Sequence, residues 1–399
     1  MDSIFWYKNP DVAAAKSGEL KGLKILIQPN ISVAGWPTEA GSKALINFKA
    51  LEDATIVQKL RQAGAEMPGS SRMSEFGLGL QDSQAGEAVR QKITDAELVL
   101  DLMGEPRLAA ARASVCGFKP SYGIISQFGL IGLIPSMECC GILSGNLKTM
   151  RDILKTIAGP DERDFSVPEE KTRDFSLSQI DPQKTTIGII KEAKKDLSPD
   201  QERIFLSSIE EFKKAGFCLK EVSFPEFELF SLVHNMVGSV EASSCAGRYD
   251  SVRYGQRAPG AKNWNEMYLK SREAAFGPFL KSYLIQGAYF QFEKYEEFED
   301  ACRIRARLVS KMQQLTSEAD FLVLPVSGQA SSGAVTPLAE TYAQFALTTF
   351  ANVSGQPVLY LPPAPGAVHA GFQLAGPRLS DARLLTLGGY ILNLRQGGR

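Results

Sequence analysis

The chain has 399 residues, with 44 Lys plus Arg against 45 Asp plus Glu, and it is 44% hydrophobic and 22% charged. That composition excludes a disordered chain, and the balanced charge excludes a general attraction to nucleic acid or to an anionic membrane surface. The longest mainly apolar region, residues 128–135, is far short of a membrane span.

The N-terminal residues MDSIFWYK carry no secretory pattern, so a soluble, cytoplasmic protein is expected. The six cysteines form no pair of CxxC motifs, and Cys139 and Cys140 are adjacent. They are therefore expected to be reduced thiols, mostly buried. With only His234 and His369 present, a multi-histidine metal centre or histidine triad has little material, and no metal or cofactor is expected. Neither histidine is assigned a role.

Residues 23–27 read as a short buried strand. Asp53 then opens a segment in which Ala54, Val57 and Leu60 recur at helical spacing up to Gly64. A helix is predicted over 147–157, stopped by Gly159 and Pro160, and a strand over 186–190. Ser198 as N-cap with Pro199 at the first helical position starts another helix, which ends at Gly216. Residues 231–317 are mostly helical in pattern and rich in charge, with 293–307 expected to be a solvated helix face. Strands follow at 320–325, 357–362 and 371–376, then a closing helix at 381–394. Strands near both ends imply one sheet with helices on its faces, and no linker composition divides the chain, so residues 1–399 are expected to form a single domain.

Several stretches in consistent order resemble the amidase signature family. Residues 22–32 (GLKILIQPNIS), 40–43 (AGSK) and 53–57 (DATIV) resemble the segment in which a short strand ends at a catalytic lysine. Residues 117–123 (GFKPSYG) and 128–130 (FGL) resemble the end of the signature. Residues 248–255 (RYDSVRYG) resemble the A subunit of the aspartyl/glutamyl-tRNA amidotransferases, and 352–357 (NVSGQP) extends the likeness toward the C-terminus. The resemblance implies an α/β/α sandwich, a mixed β-sheet covered by helices on both faces. It also implies amide chemistry through a nucleophilic serine, a second serine that relays its proton and a neutral lysine that accepts it. Glycines that let backbone N–H groups approach the oxyanion complete the machinery.

The positions that should carry this chemistry hold other residues. Gln28 stands where the lysine is expected, and an amide has no basic lone pair with which to take a proton. Within 101–107 (DLMGEPR), Asp101, Gly104 and Arg107 match the family, but Glu105 stands at the nucleophile. A carboxylate attacking an amide would form an anhydride, less stable than the amide consumed. Gln81 falls at the bridging serine, or Ser83 if a gap intervenes, and the Gly/Ser-rich loop is replaced by the shorter 77–87 (GLGLQDSQAGE). Met103 occupies a glycine position of the oxyanion loop, and Phe345 a position where the A subunit carries an acid for the substrate ammonium.

The implied reading is a catalytically inactive relative kept as a structural or regulatory partner in a protein complex, with no direct nucleic-acid or membrane binding. The competing reading is an amidase or amidotransferase A subunit with a rearranged site, its degenerate pocket lined by Met103, Gly104, Arg107 and Phe345. Glu105 is then either a general base in a remodelled cleft or a surface or salt-bridged carboxylate, with Arg107 as candidate partner. Cys116, Cys139 and Cys140 are either thiolate nucleophiles or core residues, and without a group to lower their pKa the core reading is preferred. Arg248 and Arg253 either contact a partner or an anion, or pair with Asp250 and nearby acids while Tyr249 and Tyr254 anchor the segment.

Overall fold

The computed structural model describes residues 3–12, 17–168, 175, 179–195, 197–327, 336–364 and 371–396; His369 lies outside them. The strands are β1 (Phe5–Lys8), β2 (Ile25–Ile27), β3 (Gly69–Ser71), β4 (Ala96–Asp101), β5 (Cys116–Lys119) and β6 (Cys139–Ser144). They continue with β7 (Thr186–Ile190), β8 (Cys218–Val222), β9 (Phe321–Leu324), β10 (Val358–Leu361) and β11 (Phe372–Ala375). All eleven lie in one mixed sheet of order β1-β3-β2-β4-β6-β5-β10-β11-β9-β7-β8.

The helices are α1 (Thr55–Gln62), α2 (Glu87–Arg90), α3 (Glu105–Ala113), α4 (Leu147–Ile157), α5 (Pro199–Lys214) and α6 (Leu229–Ala246). Then come α7 (Trp264–Ala275), α8 (Pro278–Phe292), α9 (Tyr295–Glu318), α10 (Pro337–Phe345), α11 (Thr349–Ser354) and α12 (Asp381–Arg395). The parallel pairs need helical crossovers: α1 lies between β2 and β3, and α5 between β7 and β8.

The central strands are buried along their whole length because both faces are covered. In β10, Leu359 and Leu361 pack with Ile56, Phe212 and Leu384 on one face. Val358 and Tyr360 pack with Phe230, Tyr283 and Leu308 on the other, as the two-residue period of a strand requires. The two halves of the chain meet where β5 pairs antiparallel with β10, Gly117 opposite Tyr360. The fold is therefore the mixed α/β/α architecture that the resemblance implies.

Local signals explain several boundaries. Ser198 and Gln201 cap α5 reciprocally, with Pro199 at the first turn. At α1, however, Ala54 is the N-cap, and Asp53 instead accepts the Ala34 N–H at 2.8 Å and pairs with Arg61. The helical stretch 231–317 is broken between Ala246 and Trp264. The expectation of mostly buried thiols is corrected. Cys116, Cys139 and Cys140 are buried, but Cys218 and Cys302 are exposed and Cys245 is half-buried, because the last three sit on an edge strand and the outer sides of helices. Among the described residues no helix is long and apolar enough to cross a membrane.

Candidate active site

The site lies where β4 runs into α3. Asp101 ends the strand, residues 102–104 turn, and Glu105 opens the helix. This turn aims its backbone N–H groups at one point. The Glu105 Oε2 atom accepts from Leu102 N at 2.8 Å, Met103 N at 2.9 Å and Gly104 N at 3.1 Å, while Oε1 accepts from Gly79 N at 3.2 Å. The carboxylate sits in the kind of backbone nest, at a helix N-terminus, that binds anions. Glu105 is 1% exposed.

The reading of Glu105 as a surface or salt-bridged carboxylate does not describe this arrangement. It is not a surface carboxylate, and it is not paired with Arg107, whose guanidinium leans on Asp101 at 3.5 Å. The reason is the helix N-terminus, whose free N–H groups and partial positive charge favour a carboxylate in the first turn. Burial first, and the Asp101 carboxylate second, push the Glu105 carboxyl above its ordinary range, against the pull of the amides. All four partners are donors, so protonation on Oε1 would displace the Gly79 N–H.

A buried polar network holds the turn from below. Arg107 donates to Thr348 O and Asn352 Oδ1, both at 2.9 Å, and to Gln373 Oε1 at 3.3 Å. Asn352 donates to Asp101 Oδ1 at 2.8 Å and to Met137 O at 3.2 Å. Gln373 donates to Pro325 O and Leu347 O. Thr348 Oγ1 reaches Met103 O at 2.6 Å, and a Cβ on Gly104, whose φ is +128°, would lie 2.3 Å from that hydroxyl. Gly104 is thus required both for its backbone angle and for the closeness of Thr348.

From above, the side chain of His234 meets Leu102 O through Nε2 at 2.8 Å and Tyr342 Oη through Nδ1 at 3.0 Å, and Tyr342 meets Tyr283 at 3.0 Å. A carbonyl only accepts, so Nε2 carries the hydrogen, and the hydroxyls donate in sequence from Tyr283 to Tyr342 to Nδ1. Burial pushes the His234 pKa down to about 4, so the imidazole is neutral. Sequence reasoning left His234, Tyr342, Thr348 and Gln373 unassigned. The one available signal for His234 was its place on the α6 face that also buries Phe230 and Val237.

The other residues singled out from the sequence lie as follows. Gln28, buried, accepts the Leu100 N–H at 3.0 Å and has no hydrogen bond to Gln81 or Glu105. Gln81 is exposed; its amide covers Gly79, donates to Thr341 Oγ1 at 2.9 Å, and its carbonyl accepts from Ser74. Ser83 Oγ accepts from Ala85 N. Met103 and Phe345 are wholly buried in the same apolar cluster as Tyr342 and Phe350. Burial pushes all three core thiols up, Cys116 and Cys139 to about 12. Far from this turn in sequence, Tyr249 packs on Phe76 and Phe276. Tyr254 is 41% exposed, Arg253 pairs with Asp250, and Arg248 donates to Cys245 O. Among the described residues, no cluster of His, Cys, Asp or Glu could hold a metal ion.

This chain belongs to the Amidase family, which it matches over residues 7–88 and 104–385. The unmatched stretch between them contains β4 and most of the turn before Glu105. Within the family it is similar to the A subunit of the glutamyl-tRNA(Gln) amidotransferase of Lactobacillus johnsonii, 30% identical over 94% of this chain and 84% of that one. The corresponding Natronomonas pharaonis protein is likewise 30% identical, over 94% and 96%. The fold matches the crystal structure of the Thermotoga maritima A subunit with a TM-score of 0.80 at 21% identity, covering 98% of this chain and 87% of that one. It also matches a 6-aminohexanoate cyclic dimer hydrolase with a TM-score of 0.78 at 16% identity, covering 95% and 86%.

Proposed function

We propose that this protein is a family member, similar to the amidotransferase A subunits, that does not split amides and acts as a structural or regulatory partner in a cytoplasmic protein complex, the chain forming one domain and needing no cofactor. The observation that carries this reading is the Glu105 carboxylate, which fills the backbone nest where an oxyanion would have to form. Gln28 offers no base, and Met103 and Phe345 are wholly buried in the core. The partner half of the proposal is supported by the curated relatives, each of which is named for its place in a multi-subunit enzyme.

Those relatives also favour a second reading, in which the chain acts on a carboxamide C–N bond as an amidase or amidotransferase A subunit through a rearranged site. One experiment separates the two. The purified chain is incubated with glutamine, asparagine and simple carboxamides, released ammonia is measured, and the protein is treated with a fluorophosphonate probe. We expect neither turnover nor labelling. We expect the same of the Gln28→Lys, Gln81→Ser, Glu105→Ser triple variant, because the family's Gly/Ser-rich loop is still replaced by the shorter 77–87. Turnover that is lost on mutating Glu105 or Gln28 would establish the second reading.

A further inference from the structure

Helix α8 is apolar on two sides. Leu280, Tyr283, Leu284 and Gly287 face the core, and that packing is tight, since a Cβ on Gly287 would meet Ser239 O at 1.8 Å. On the outer side, Ile285, Tyr289 and Phe292 recur at helical spacing and are 69%, 49% and 75% exposed, and Tyr295 continues the strip at 54%. Nothing in the packing of the fold calls for large apolar groups there. The strip runs into an acidic rim of Glu293, Glu296, Glu297, Glu299 and Asp300, in which Lys294 is the only cation. Lys294 pairs with Glu297, and Arg303 from the next turn pairs with Glu299 and Asp300, leaving Glu293 and Glu296 without a salt-bridge partner among the described residues.

We infer that this strip is the docking site for an amphipathic helical segment of a protein partner, one that lays apolar side chains on Ile285, Tyr289 and Phe292 and carries Lys or Arg toward Glu293 and Glu296. Area and charge select that occupant. Four such side chains offer a patch of a few hundred Å², the size that marks an interaction site but well below the ~800 Å² per partner of a standard interface between folded proteins. A helix laid along an apolar stripe fits that size. The acidic rim would repel a second copy of the same face and an anionic membrane, and it would steer a basic segment. The inference rests on the proposal that the chain works by binding a partner, and it states where and what.

The test uses the full chain and two fluorescein-labelled peptides of about 15–20 residues, long enough to form a helix. Both carry the same leucine face, one with a Lys/Arg rim and the other with a Glu rim. In fluorescence anisotropy at low salt, the basic peptide is expected to bind at least about tenfold more tightly than the acidic one, and the preference should shrink at high salt. Ile285→Asp with Phe292→Asp should weaken binding about tenfold or more with an unchanged melting temperature, and Glu293→Lys with Glu296→Lys should reverse the preference. Equal binding of both peptides, or undiminished binding by the Asp variant, overturns the inference. So does concentration-dependent self-association in sedimentation that the Asp variant abolishes, which would assign the strip to a second copy. Amide turnover would defeat the proposed function without touching this result, and failure of the peptides would leave the absence of turnover standing.

Discussion

Glu105 acts through position more than through charge. Its carboxylate answers four backbone N–H groups that would otherwise be buried without acceptors, and leaving a buried donor unsatisfied costs about 1–3 kcal/mol. Glu105→Ala should therefore lower stability by about 2–3 kcal/mol, less than the sum of four lost bonds, because water can enter and repulsion from Asp101 is relieved. The vacated nest should then take a small carboxylate. Acetate or formate, compared with chloride at equal ionic strength, should raise the melting temperature of the variant saturably and leave the parent unmoved. An unresponsive variant would mean that the turn collapses once its ligand is gone. An expectation for Gln28, Met103, Glu105 and Phe345, at the family's chemistry-bearing positions, could be read from the resemblance. What Glu105 does there could not, because the aim of three successive N–H groups is a property of backbone angles that no residue type announces. Thr348 and Gln373 were hidden for a related reason, since their partners at the turn, Arg107 and Met103, lie more than 240 residues away in sequence.

At the scale of elements, legibility followed the strength of local chemistry. Helices α4, α5 and α12 carried their own periodicity and end signals, and so did the apolar strands β7, β9 and β10. Strand β3 is Gly-Ser-Ser, poor in β-forming residues, and exists because β1 and β2 flank it on both sides. Strands β4, β5 and β6 are likewise buried on both faces and show no alternation. The packing of α6 against α8 is another tertiary fact with a testable consequence. Gly287→Ala places a methyl group against the Ser239 carbonyl and must push the helices apart, at a cost of about 3 kcal/mol. Gly389→Ala, in a helix interior with nothing within 4 Å of the new Cβ, should instead stabilise by about 0.5–1 kcal/mol. Chemical denaturation of the two variants beside the parent decides the point, since similar small shifts for both would mean the α6–α8 crossing is looser than described.

Across the whole molecule, the sheet draws strands from both ends of the chain into one body, and its closed faces enclose acids that water cannot reach. Burial raises the carboxyls of Glu97 and Glu138 to about 7, above the ordinary 4.5. The folded state therefore holds these protons over a pH range in which the unfolded chain has released them, and stability must fall as pH rises from about 4.5 to 7. His234 works in the opposite sense. Its pKa is lowered from 6.5 to about 4, so its contribution is lost as pH falls through that window and offsets one of the two carboxyls below 6.5. Each uncompensated group is worth about 1.4 kcal/mol per pH unit, so the chain is expected to melt at a distinctly higher temperature at pH 5 than at pH 8. Glu97→Gln tests the assignment most cleanly. A glutamine can accept from the Gly86 N–H with its oxygen and donate to the Ser71 hydroxyl with its amide, the two partners Glu97 now holds at 2.7 and 2.6 Å. The variant should keep its stability at pH 5, gain on the parent by about 1–2 kcal/mol at pH 8, and show a shallower pH slope between them. A slope identical to that of the parent would mean that Glu97 is already ionised when the protein folds.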